Sequence, residues 1–287
     1  MPKRMLIPYL ALCLLPAAAH AEGARKPSVE RVAQQEETVQ RDVPFVPTRE
    51  ETVARMLDIA GVTKDDVVYD LGSGDGRIVV MAAQKLGARA VGVEIDPARI
   101  REANDNARKA GVTGRVEFRE ESLFGTDIKD ATVVTIYLLP EVNLKIRNKL
   151  LTELAPGARI VSHDFDMGEW RPDRKEKVGD DTIYLWVVPA SAEGTYRLTV
   201  PTAQGDVPAT LTLDQKFQDV SGTLQIGNRR LPLAEVTLQG RALSFRTAEG
   251  PELQFRGQID GTRIHGIVLP SGGPSRAFTA QRQAATP

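Results

Sequence analysis

The sequence predicts a doubly wound α/β domain followed by a small all-β domain. Three observations carry that expectation. The first is Val67-Val68-Tyr69-Asp70-Leu71-Gly72-Ser73-Gly74-Asp75-Gly76-Arg77-Ile78-Val79-Val80, a short β-branched run, a glycine turn and the apolar start of a helix. A strand of that composition suits burial on both faces of a parallel sheet. The second is an alternation of strand-like and helix-like segments that continues to Val188. The third is a change at Pro189-Ala190-Ser191-Ala192-Glu193-Gly194, beyond which period-two runs replace helical spacing.

In order, the chain opens with Lys3 and Arg4, an apolar stretch from Met5 to Leu15, and Ala19-His20-Ala21. This is the layout of a secretory signal over residues 1–21. The apolar stretch is too short to span a bilayer, so an exported (periplasmic or secreted) protein without a stable membrane anchor is expected. Leu12 ahead of Cys13, the single cysteine, speaks against lipoprotein processing, and cleavage would leave no thiol. The formal net charge of −1 falls to −3 once Lys3 and Arg4 are removed, which advertises no nucleic-acid partner. Residues 22–42 are polar and charged and are expected to form a mobile arm.

Ordered structure is expected from Val43. Thr48 and Glu51 are spaced as a capping box for a helix carrying Val53, Met56, Leu57 and Ala60, and Gly61 stops it. The helix after the glycine turn runs to Leu86, and Ala90-Val91-Gly92-Val93-Glu94 is a second strand. Asp96 and Pro97 open the next helix and Gly111 closes it. Val116–Arg119 and Thr132–Tyr137 are further strands. Pro140 starts a helix with Val142, Ile146, Leu150 and Leu154 on one side, and Ala158–His163 is the fifth strand. An acidic loop from Asp164 to Asp173 leads to a last, antiparallel strand, Thr182–Val188. From 194 to 283, pairs such as Leu198/Val200, Leu211/Leu213 and Leu253/Phe255 alternate, with turn residues every eight to twelve positions. This is a barrel or sandwich. Glycines within its strands, among them Gly222, Gly257 and Gly266, favour a closed, strongly curved sheet. The tract 190–194 offers little to bury, so an exposed junction is expected there.

The turn Gly72-x-Gly74-x-Gly76 departs from the dinucleotide fingerprint Gly-x-Gly-x-x-Gly, which would want glycine where Arg77 stands. Asp70, just ahead of the turn, would repel a pyrophosphate and suits a cationic ligand bearing an amino group. Glu94, ending the second strand, is placed to take both hydroxyls of a ribose. Together these segments resemble the S-adenosylmethionine (SAM) site of class I methyltransferases. More narrowly, Phe45-Val46-Pro47, the helix with Val53 and Met56-Leu57, the run Asp70–Val79, and Trp170-Arg171-Pro172-Asp173 resemble one family of protein-lysine methyltransferases. That family includes the mitochondrial enzyme modifying the ATP synthase c-subunit, with bacterial relatives. The resemblance covers residues 43–189, here taken to 190 as the methyltransferase domain. It implies a Rossmann-like seven-stranded sheet, SAM as cofactor and a protein lysine as acceptor. It carries cofactor binding onto Asp70, Gly72, Ser73, Gly74, Gly76, Glu94 and Ile95, with Ser122 near the adenine position. Many amine-directed methyltransferases hold the acceptor with Asn/Asp-Pro-Pro-Tyr/Phe; this chain has Leu138-Leu139-Pro140, with no side-chain amide.

A lysine must lose a proton before it attacks. Tyr137, Asp164 and Asp166, at predicted carboxyl ends of strands, are the candidate catalytic groups. The plainer alternative is that Asp164 and Asp166 cap a turn and Tyr137 packs against cofactor. His163, Asp164 and Asp166 offer only one histidine at a strand end, so no metal is assigned. Trp170 and His265 read as packing residues. A small-molecule amine acceptor stays open; because SAM is made in the cytoplasm, so do cytoplasmic action before export and a non-catalytic, exported SAM-fold binding protein. The β-domain reads as an interaction module of unassigned ligand.

Overall fold

A computed structural model describes residues 45–202 and 205–284; the expected signal and arm, residues 1–42, lie outside the described residues. The α/β part runs α1 (Glu50–Ile59), β1 (Val67–Leu71), α2 (Arg77–Leu86), β2 (Arg89–Glu94), α3 (Pro97–Ala110), β3 (Val116–Glu120), β4 (Val133–Ile136), α4 (Pro140–Glu153), β5 (Arg159–His163), β6 (Arg174–Val178) and β7 (Asp181–Val187). Its seven strands are ordered β3-β2-β1-β4-β5-β7-β6. The first five are parallel, and β7 and β6 return antiparallel. Alternate residues of β1 serve opposite faces. Val68 packs with Val53, Met56 and Val79, whereas Tyr69 and Leu71 pack with Ile146 and Leu150 of α4.

Asp96 caps α3 as expected, accepting from the Ala98 N–H at 2.8 Å, with Pro97 in the first turn. The expected capping box does not form. The N-cap of α1 is Arg49 with no side-chain cap, because the Thr48 hydroxyl turns inward to His163 instead. The sequence pattern also passes over β6, whose Arg-Lys-Glu-Lys-Val composition belongs to a charged sheet edge.

The second part is β8 (Gly194–Thr202), β9 (Gly205–Lys216), β10 (Asp219–Ile226), β11 (Arg229–Gln239), β12 (Ala242–Thr247), β13 (Leu253–Asp260), β14 (Arg263–Pro270) and β15 (Arg276–Arg282). All neighbours are antiparallel, and β15 closes on β8 through Gln281–Arg197 and Arg282–Tyr196, so the sheet is a barrel rather than a sandwich. A Cβ on Gly222 or Gly266 would collide with the carbonyl of Thr212 or Arg256 on the next strand, so tight curvature requires glycine at both. His265 lies exposed on the outer face of β14, not in a satisfied interior position, because Ile264 and Val268 take the inward register.

The junction is exposed only in part, at Ser191 and Glu193. Ala190 and Ala192 are buried, and Gln215 brackets them, accepting from the Ala192 N–H at 2.6 Å and donating to the Ala190 carbonyl at 3.0 Å. The β9–β10 turn reaches back to the α/β part. Phe217 stacks on Trp170 at 5.9 Å and lies under the Arg147 guanidinium, and Gln218 donates to the Arg171 carbonyl at 2.6 Å. Gly240 in the β11–β12 turn abuts Gly157. Phe217 thereby joins the core on the α4 face of the sheet.

Candidate functional site

Strand order reverses between β1 and β4, and a cleft opens at the carboxyl ends of those strands. Of the residues the sequence singled out, Asp70, Gly72, Ser73, Glu94, Ile95, Ser122 and Tyr137 line it. Asp70 accepts from the hydroxyl of Thr135, its register partner on β4, at 2.7 Å. Burial pushes its carboxyl up to about 7 against that hydrogen bond, with the charges of Glu94 and Asp75 adding to the rise. Glu94 is aimed by backbone. Oε2 accepts from the Gly74 N–H, and Oε1 from the N–H groups of Ile95 and Asp96, each at 2.9 Å.

Gly74 and Gly76 serve the protein itself and do not line the cleft. A Cβ on Gly74 would strike the Phe45 ring, and Gly76 (φ 76°) starts α2 in close contact with Phe118 and Ala103. Phe45, Val46, Pro47 and Thr48 form a strap over the cleft, a placement that the sequence pattern does not announce. Arg77 holds it. Its Nε and Nη2 bind Asp75 at 3.0 and 2.6 Å, while Nη1 donates to the Thr48 carbonyl at 2.7 Å. Arg99 lies over the Phe45 ring at 4.7 Å. With the strap down, the enclosed space is about 80 Å³. The Asp75-x-Arg77 pairing is the sequence signal that points to this device. The donor set fits SAM. Ser73 Oγ is buried with no partner among the described residues, Glu94 presents a fixed carboxylate, and Asp70 supplies an acid for a cationic group.

Behind Tyr137 lies a second cluster. The His163 ring packs 3.8 Å from the Tyr137 ring, its Nδ1 meets the Thr48 hydroxyl at 3.1 Å, and its Nε2 sits 3.4 Å from both Asp164 and Asp181. Asp181 also accepts from Thr52 at 2.6 Å and pairs with Arg49 at 3.1 Å. Burial pushes the His163 imidazole below its ordinary range despite the two acids. Burial, then the charges of Asp164 and Asp181, push the Tyr137 phenol up from its ordinary value. Asp164 has a left-handed backbone (φ 61°) and anchors through Oδ1 to the Thr182 N–H at 2.8 Å, leaving its other oxygen toward His163. Its side chain is 31% exposed. Asp166 lies apart, capping its own turn by accepting from the Gly168 N–H at 3.0 Å. Trp170 is fully buried and donates nothing to the cleft.

His163, Asp164 and Asp181 bring their ligand atoms within 4.8 Å of one another, with Asp181 in the place that the sequence pattern assigns to Asp166. The Asp181 oxygen is already committed to Thr52 and Arg49.

A family model described as the ANTKMT methyltransferase domain matches residues 70–174. A protein-lysine N-methyltransferase of Saccharolobus islandicus is 51% identical over 151 residues, which cover 51% of this chain and 94% of that protein. The human lysine N-methyltransferase of the ATP synthase c-subunit is 33% identical over 144 residues; the match takes in 50% of this chain and only 61% of the human enzyme. Among solved structures, an RNA methyltransferase of Salinibacter ruber bound to S-adenosylhomocysteine matches with 55% identity and a TM-score of 0.51, over 51% of this chain and 95% of that one.

Proposed function

This chain belongs to the family of class I SAM-dependent methyltransferases that contains protein-lysine enzymes, and we propose that its own acceptor is a lysine on a protein. When bound, SAM supplies an electrophilic methyl group on a positively charged sulfur. Asp70, Ser73 and Glu94 would hold it. The remaining task of the chain is to admit a cationic side chain and take its proton, since an ammonium has no lone pair to attack with. The observation that carries the reading is the partly exposed Asp164 carboxylate backed by buried His163 and Asp181 beside Tyr137. Asp164 meets the ammonium and accepts its proton, and the neutral imidazole behind it shares that proton by hydrogen bonding. In the neighbouring cleft Asp70, Asp75, Glu94, Asp96 and Glu121 outnumber Arg77 and Arg99, which suits a cation and opposes a phosphate backbone.

The test is transfer of labelled methyl from SAM into a native extract, followed by residue-level mapping. Label on lysine that falls by roughly 100-fold in Asp164→Asn, with SAM affinity unchanged, is the expected result. Label in RNA or in small molecules alone would remove the lysine assignment. We also propose that residues 1–21 are an export signal; Glu22 at the N-terminus of the native protein by mass spectrometry is the expected result, and intact Met1 would overturn it.

A further inference from the structure

We propose that the barrel holds a small molecule with an apolar body and a single anionic head, in a site separate from the methyl-transfer cleft. One end of the barrel encloses a cavity of about 1020 Å³. An eight-stranded barrel has room either to fill its interior with side chains or to take one small ligand. This one does both in layers. Phe245 stacks on Phe255 at 4.6 Å and Phe278 meets Phe255 edge-on at 5.2 Å, making a floor. Above the floor, Val207, Ile226, Leu231 and Leu253 line an apolar wall.

The mouth lies among the β10–β11, β12–β13 and β14–β15 turns. The β9–β10 and β11–β12 turns, which meet the α/β part, are at the opposite end. Among the described residues, nothing of the catalytic part therefore covers the opening.

The head group follows from register. Inward residues of β11 include Leu231, and those of β15 include Phe278, so Arg229 and Arg276, two positions earlier, stand in the inward register at the rim. Arg276 is paired with Asp206 at 2.7 Å. Arg229 lies over Gly250 and has no acidic partner among the described residues. A lone guanidinium above an apolar well complements a carboxylate or sulfonate with a hydrocarbon tail.

The test uses the full chain and the fluorescent probe 1-anilinonaphthalene-8-sulfonate, displaced by dodecanoate or by dodecanol. Dodecanoate should displace it at roughly tenfold lower concentration than dodecanol, the difference expected of one charged hydrogen bond. Arg229→Glu should erase that advantage while dodecanol binding stays the same. Val207→Trp should fill the well and weaken both, and Ile226→Trp repeats that test if the first variant folds poorly by circular dichroism. Methyl transfer should be unaffected throughout. Absence of saturable probe binding, or folded tryptophan variants that bind as tightly as wild type, would overturn the site. Equal displacement by both competitors in wild type and Arg229→Glu would overturn the anionic head.

Discussion

At the scale of single residues, Asp70 sets binding against stability. Its carboxyl ionises near the usual 3.8 in the unfolded chain and at about 7 in the fold. Between those values the folded chain keeps a proton the unfolded chain has released, so this group lowers stability as pH rises from 4 toward 7. Asp70→Asn keeps an acceptor for Thr135 and removes the buried charge. It should therefore raise the melting temperature at pH 8 but hardly at pH 4, by an amount worth on the order of 1–4 kcal/mol, while SAM binding is lost. Melts at the two pH values check this; an equal change at both would sink the account. Asp70, Glu94 and Asp96 were legible in the sequence because strand, turn and cap are local patterns. The His163 cluster was not, since Thr48 and His163 stand 115 positions apart and meet only through the sheet. Of the two readings open for Asp166 the structure matches the plainer, a turn cap, since sequence proximity to β5 does not fix direction and its carboxylate closes on Gly168.

Among elements, the strap of residues 45–48 connects the two halves of the site. Its Thr48 hydroxyl reaches His163, its carbonyl is held by Arg77, and Phe45 covers Gly74. About 80 Å³ lies well below the roughly 300–1,000 Å³ of small-molecule pockets, so lifting of the strap on loading is the expectation to test. Phe45→Ala should speed dissociation of S-adenosylhomocysteine several-fold in stopped-flow mixing. It should cost only about 1 kcal/mol of stability, because the ring is half exposed and its Arg99 contact is a surface one. An unchanged dissociation rate would deny the strap this role. The Phe-Val-Pro run could be read from sequence as the place where order begins. That it crosses the cleft depends on Arg77 folding back across the turn, a contact no periodicity announces. The edge strand β6 escaped for a different reason: its Arg-Lys-Glu-Lys run leaves only Val178 to pack on the core, too little for an apolar pattern to read.

For the molecule as a whole, Phe217 and Gln218 make the barrel part of the α/β core's cover. A chain cut after residue 190 would expose Trp170 and leave Ala190 without Gln215, so it should lose roughly 3–5 kcal/mol and populate unfolded forms at ambient temperature. Limited proteolysis should accordingly spare the 190–194 tract, which mass mapping of the fragments would test. Two domains were legible from composition. Their docking was not, because its main contact is an aromatic residue in a turn, where period-two counting has no grip. The orientation of that docking carries its own consequence. The barrel is held by the end where β9 meets β10, and its cavity opens at the other, with the phenylalanine layer packed between them. A packed layer between the two ends gives occupancy at one no evident two-state element through which to act on the other. If the barrel takes the ligand proposed for it, the two ends are expected to fill independently and in either order, which SAM titrations with and without dodecanoate would check.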